Sequence, residues 1–193
     1  MADVRYRPLQ TADLPEAVAV YLTARNEMTA RLGQTPPPVT DAERAWWQTG
    51  YEHLLQTGIF EVAEVDGRIA ALACAIVRDD IWFLSGFWAR PELQQQGIGG
   101  PLLRRVKEAG AAAGAHIFCV WASTDLPAQG AYLKLGMLPG YPVYRFAGPG
   151  AGLPEAPAGY RTEPLNLSIA TGLDRVLRGT ARELDHRYWM ANG

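Results

Sequence analysis

The chain has only two cysteines, Cys74 and Cys119, and neither belongs to a CxxC pair; no HExxH is present either. A disulfide framework and the common zinc motifs find no support, so no metal is expected. Each cysteine lies in an apolar, strand-like run, which reads as a small core residue kept reduced in the cytoplasm. No apolar run reaches the length of a membrane span. Met1-Ala2-Asp3-Val4-Arg5 lacks the basic and apolar regions of a signal peptide, which again points to a cytoplasmic protein without a membrane partner. The net charge is −2 and no dense basic patch stands out, against nucleic-acid binding. Ser85-Gly86 is not part of a G-x-S-x-G elbow, so a serine hydrolase nucleophile is missing.

What is present is a globular chain of 193 residues, long enough for one domain with an appendage. A strand is expected at Val4 to Pro8, then a helix from Asp13 with Leu14, Val18, Tyr21 and Leu22 on one face. Pro36-Pro37-Pro38 forces an extended loop, after which Thr40 or Asp41 caps a second helix. Ile59 to Val65 and Ile69 to Val77 flank Asp66-Gly67, a hairpin dipeptide, and Ile81 to Ala89 continues the meander.

That last run leads into Gln94-Gln95-Gln96-Gly97-Ile98-Gly99-Gly100, a glycine-rich turn without an acid, and then into a helical pattern. Glycines at such a junction let backbone approach a ligand, and the N–H groups of a helix start favour negative charge. The turn reads as a pyrophosphate cradle; the alternative is a purely structural strand-to-helix turn. The dinucleotide fingerprint would need glycine at Leu102, and a Walker loop would need a Lys after Gly99 or Gly100. Downstream, His116 to Ala122 reads as a buried strand, and Ser123-Thr124-Asp125 as a helix start. Ala128, Ala131, Tyr132, Leu133 and Leu135 then share a helical face that ends at Gly136.

Gln94-x-x-Gly97-x-Gly99, followed by Asp125-x-x-Ala128-x-x-x-Tyr132-x-x-x-Gly136-Met137, resembles the coenzyme A signature and the succeeding motif of the GNAT N-acetyltransferases. Asp125 stands for the family's Asn, Met137 for its Phe, and Ala89 for its usual Val. The resemblance covers residues 3–148 and is specific from Ile81 to Met137. It implies a mixed α/β (α+β) fold, a central mixed sheet flanked by helices. It also implies acetyl-CoA as cosubstrate and transfer of the acetyl group to a primary amine of a small molecule or protein. By the same resemblance Phe87, Trp88 and Ala89 hold the pantetheine arm, while Gln94, Gln95, Gln96, Gly97, Ile98, Gly99 and Gly100 hold the phosphates. Asp125 matches a cofactor-contacting position, although a carboxylate suits phosphates poorly and a helix N-cap is the stronger role. Tyr132 matches the general acid; a phenol with pKa near 10 is protonated at neutral pH and can reprotonate a leaving thiolate. Its alternative is an amphipathic core residue.

A base is not assigned. Val120 occupies the position where some relatives carry Glu, and Glu27, Glu52, His53, Asp79 and Asp80 are the acceptor-side candidates. His116 and His186 read as structural. Residues 1–89 hold twelve acids against seven arginines, whereas residues 90–193 hold eight acids against eleven Arg or Lys. If the first part forms the acceptor wall, its field suits a cationic amine; scattered solvated charge is the alternative. Two rival functions stand beside the enzyme: a non-catalytic coenzyme A-binding or regulatory domain, and a transferase of longer acyl chains.

The transferase domain is expected over 1–148, ending in a strand pair around Tyr141 to Phe146, with a linker over 149–159 and a helical extension over 160–193. Gly159-Tyr160-Arg161-Thr162-Glu163-Pro164-Leu165 echoes Arg5-Tyr6-Arg7-Pro8-Leu9, as an incomplete second repeat or by chance. A strand and a helix are expected there. Leu173, Val176, Leu177 and Trp189 would be buried on the same chain or on a second subunit of a homodimer.

Overall fold

In the computed structural model, the described residues are 3–144, 148, 152, 154, 157–161 and 163–192. The chain divides into two compact units, Met1–Leu138 and Pro139–Gly193.

The first unit is built on a five-stranded sheet in sequential order. β1 (Val4–Pro8), β2 (Ile59–Val65), β3 (Arg68–Arg78) and β4 (Ile81–Ala89) run antiparallel; β5 (Ile117–Val120) joins β4 in parallel. The β2–β3 turn places Asp66 at φ 50° and Gly67 at φ 73°. Two successive left-handed residues are what a tight hairpin demands, which is why the Asp-Gly pair was legible. Ile69 to Ala75 is buried throughout, because helices cover both faces of the sheet. On one face α1 (Leu14–Arg31) and α2 (Asp41–Thr57) set Leu14, Val18, Tyr21 and Tyr51 against Phe60, Val62 and Leu72. On the other, α3 (Gly99–Ala112) sets Leu102, Leu103 and Val106 against Ala71, Ala73 and Trp82. Each large side chain so buried is worth about 1.5–3 kcal/mol.

Thr40, not Asp41, caps α2: its hydroxyl accepts the Glu43 N–H at 3.1 Å. α4 (Leu126–Lys134) ends at Gly136, φ 87°, where the Met137 N–H returns to the Tyr132 carbonyl at 3.1 Å. Asp125 stands at the N-cap of α4 but makes no capping hydrogen bond, so the expected cap is one of position only. β5 is shorter than the run from His116 to Ala122. The His116 and Ile117 N–H groups both donate to the Asp80 carbonyl, at 2.8 and 3.0 Å, which turns the chain before pairing starts. No strand forms over Tyr141 to Tyr144, and the rest of that expectation, Arg145 and Phe146, lies outside the described residues.

The second unit holds α5 (Leu167–Arg178) and α6 (Glu183–Asn192), with no strand among its described residues. Instead of the expected strand, Tyr160, Arg161 and residues 163–166 are irregular; Thr162 lies outside the described residues. Asn166 caps α5 by accepting the Ile169 N–H at 3.0 Å, and Gly179 at φ 76° ends it. The inward face of α5 is polar. Asp174 accepts two hydrogen bonds from Arg182, both 2.9 Å, and lies 2.7 Å from His186 Nε2. Leu173, Val176 and Leu177 fall on the other side of α5 and are exposed in the single chain, as is Trp189 on α6. No helix among the described residues is long and apolar enough to cross a membrane.

Candidate active site

The site originates in one extra residue. Cys74 pairs with Gly86 across the β3–β4 ladder, yet Ala75 pairs with Leu84, so Ser85 is left over as a bulge. A bulge bends its strand and ends regular pairing. β5 accordingly follows β4 only over Ile81 to Leu84. Beyond that point Gly86 to Ala89 keep β3 on one edge and, among the described residues, have no strand on the other. A cleft of about 830 Å³ occupies the opening.

Alternation along β4 sends neighbouring side chains to opposite faces. Trp88 joins the α1–α2 side, edge-on to Tyr21 with ring centroids 5.0 Å apart. Phe87 joins the α3–α4 side, its ring 6.3 Å from that of Tyr132. The chain then passes a 3-10 turn, Pro91–Leu93, and two left-handed residues, Gln95 at φ 61° and Gly97 at φ 83°. α3 starts with no side-chain cap and no acid in its first turn. Its first N–H groups therefore have no partner within the helix and attract an anion. A Cβ built on Gly97 or Gly100 would meet no protein atom within 4 Å, so space for a ligand lies directly against the backbone.

Among the residues expected to touch a cofactor or to act as acid, Gln96 and Ile98 alone stand outside the lining. The Gln96 amide donates to the Glu92 carbonyl at 2.9 Å on the exposed side of the turn. Ile98 is buried, and its carbonyl accepts the Tyr6 hydroxyl at 3.1 Å, which fixes the turn to β1. Gln94 ties the same turn to β4 through a 3.2 Å hydrogen bond from its amide to the Ala89 carbonyl. Tyr132 is half-buried in the lining; burial, and secondarily the negative charge of Asp125, push its phenol up to about 12. It stays protonated across the physiological range.

The described lining of this cleft is not acidic. Among the described lining residues Asp125 is the one acid, beside the cations Arg31, Arg104 and Lys134. Glu27, Glu52, His53, Asp79 and Asp80 are all absent from it. Glu27 meets Arg31 at 3.3 Å, Glu52 accepts the Gln48 amide at 3.1 Å, and Asp79 and Asp80 form the turn at the far end of β4. Burial pushes the Cys74 thiol up to about 12 and raises that of half-buried Cys119, which disfavours the thiolate at both. Sequence reading missed Arg31, Arg104, Lys134 and Trp121. The first lies far from any motif, Arg104 and Lys134 are ordinary surface types, and Trp121 falls within the apolar run from His116 to Ala122.

Fold comparison places the chain among acetyltransferase structures. A candidate acetyltransferase of Pyrococcus horikoshii superposes with a TM-score of 0.69 at 16% identity, covering 98% of this chain; this chain spans 62% of that one. The aminoglycoside N-acetyltransferase AAC(6')-Iy in complex with CoA gives 0.57 at 19% identity, over 77% of this chain and 96% of that one. The ribosomal-protein-S18-alanine N-acetyltransferase of Escherichia coli gives 0.54 at 21% identity, over 69% and 77%. At such identities the likeness is one of fold. No curated protein matches the chain. The acetyltransferase (GNAT) family model matches residues 21–137, and the chain belongs to that family.

Proposed function

We propose that the protein is an N-acetyltransferase that moves an acetyl group from acetyl-CoA to a primary amine of a small molecule or protein. One observation carries the reading: the strand edge freed by the Ser85 bulge, the acid-free start of α3 and the phenol of Tyr132 share one cleft. Acetyl-CoA supplies the activated thioester. Backbone over Phe87 to Ala89 holds its extended arm as an added strand, and the turn from Gln95 to Gly100 receives the pyrophosphate. The amine nitrogen forms a bond to the thioester carbon, the carbon–sulfur bond breaks, and the Tyr132 hydroxyl gives its proton to the departing sulfur. The amine proton leaves to water, and water returns a proton to the Tyr132 phenolate. Alignment of the two reactants supplies much of the acceleration. The relatives in fold include named transferases for an aminoglycoside and for a protein alanine, which supports an amine acceptor of either size. The setting is the cytoplasm, and a homodimer is the form that covers the exposed apolar residues of α5.

One observation favours a second reading, a coenzyme A-binding domain without turnover: Asp125, the acid of the lining, is held by Arg31 and offers no base. Acetyl-CoA consumption against amines, amino acids and peptides separates the two. An acetylated product establishes the enzyme. Coenzyme A binding with no product across the panel leaves the binding domain, and absence of binding sinks both.

A further inference from the structure

Arg31, the last residue of α1, reaches the start of α4: its Nη1 lies 3.1 Å from Asp125 Oδ1. One helical turn back, Glu27 Oε1 meets the same guanidinium at 3.3 Å from Nε. The Asp125 side chain is largely buried in the lining and contributes no cap to α4, so its carboxylate is committed to Arg31 rather than to the helix. That carboxylate sits in the cleft that the reading above gives to an anionic cosubstrate. In a cleft partly emptied of water, repulsion between like charges is several times its strength in bulk solvent. An acid at this position needs a counter-charge.

We infer that Arg31 is that counter-charge: a positioning residue that neutralises and aims Asp125, so that coenzyme A phosphates bind beside an acid and α4 is tied to α1. The inference rests on the coenzyme A reading of the cleft. Arg31 lines the cleft, and with carboxylates against its Nε and Nη1 its effect on the ligand is assigned through Asp125. Arg104 and Lys134 have no carboxylate partner among the described ion pairs and are left to attract the anion. Asp125 also links the pair to the chemistry, because its charge is felt by the Tyr132 phenol.

The test is a background comparison by calorimetry with coenzyme A as the probe. With Asp125 present, Arg31→Ala should weaken binding about tenfold, a free-energy change of roughly 1.4 kcal/mol. Arg31→Gln, which keeps a polar side chain and loses the charge, should behave the same way. In the Asp125→Asn background the acid is gone from the cleft; Glu27, the carboxylate that Arg31→Ala then leaves unpaired, lies outside the lining. There, Arg31→Ala should cost at most about twofold, the departure from additivity expected of coupled neighbours. Raising salt should shrink the loss in the Asp125 background. Melting curves confirm that each variant is folded. Equal losses in both backgrounds would make Arg31 a direct ligand contact and overturn the inference, as would no loss with Asp125 present. A wild-type chain that fails to bind coenzyme A overturns the underlying reading instead.

Discussion

Phe87 Cζ lies 2.7 Å from the point where a Cβ on Gly99 would sit. The free end of β4 and the first turn of α3 are therefore in direct contact, and Gly99 is a packing glycine as well as a member of the turn. Gly100, its neighbour, has nothing within 4 Å of its Cβ position. The two glycines separate packing from ligand binding. Gly99→Val should displace Phe87 and lower both stability and coenzyme A affinity. Gly100→Val should leave the melting temperature within a few degrees of wild type, since Val is no worse than Gly within a helix. Its coenzyme A affinity should still fall at least about tenfold. Calorimetry on Gly100→Val showing wild-type affinity would remove the cradle from the phosphate.

Tyr132→Phe keeps the ring beside Phe87 and deletes the proton. At saturating substrates the turnover rate should fall by about 10²-fold or more, with acetyl-CoA affinity changed less than about threefold. The pH profile adds a sign. A phenol pushed up to about 12 keeps its proton as pH rises through 8, 9 and 10, so it imposes no alkaline limb there. Any limb seen in that range belongs to another group and should persist, unshifted, in Tyr132→Phe. A limb below pH 10 that vanishes in the variant would contradict the protonated phenol.

Local signals in the sequence were enough for the β4–turn–α3 unit and for the helix of Tyr132. Glycine spacing, a helix stop and an Asp-Gly hairpin each act over a few residues. The opening of the cleft was not legible, because the bulge at Ser85 exists only in the register between β3 and β4. The Arg31–Asp125 pair was hidden for the same reason: it joins the end of α1 to the start of α4. In the second unit the helical periodicity of Leu173, Val176 and Leu177 was real, but these residues do not form the side on which the helix pair packs. A stripe says which residues share a face; what the helix turns inward depends on its partners, and here Asp174, Arg182 and His186 occupy that side.

Those three residues give a stability prediction for the helix pair. Hydrogen bonds from Arg182, then the contact with His186, hold the Asp174 carboxyl below its ordinary range. A depressed carboxyl contributes stability that is present above its unfolded pKa of about 3.9 and lost as pH falls through the folded value. Acid should therefore loosen α5 from α6 below about pH 4. Asp174→Asn should remove that acid dependence and cost on the order of 2 kcal/mol at neutral pH, by removing the charge and replacing one of the two acceptor oxygens with an NH2 donor. Hydrogen exchange of the α6 amides across pH reads both effects. Protection in Asp174→Asn equal to wild type at pH 7 would make the cluster incidental.

Gly110 poses the opposite problem to Gly100 on the same helix. The indole of Trp82, fully buried on β4, donates from Nε1 to the Val106 carbonyl at 3.2 Å and packs against the helix at Gly110. A Cβ on Gly110 would stand 2.1 Å from Trp82 Cδ1. Helix propensity alone says that Gly→Ala stabilises by about 1 kcal/mol. Overpacking costs about 1–3 kcal/mol, and a buried indole pulled off its acceptor costs about 1–3 more. The second pair of terms wins. Gly110→Ala should lower the stability by about 2 kcal/mol in urea unfolding, whereas Gly100→Ala should raise it slightly. In a Trp82→Leu background, where the ring is gone, the Gly110→Ala change should turn neutral or stabilising. Trp82 also pairs by ring contact with Phe118 of β5, at 5.6 Å, just before the two strands part. Gly110→Ala should therefore weaken coenzyme A binding as well, by letting the root of the cleft shift. Unfolding curves for Gly110→Ala that match or exceed wild type would show that the indole can move aside without loss, and that the strand junction does not depend on it.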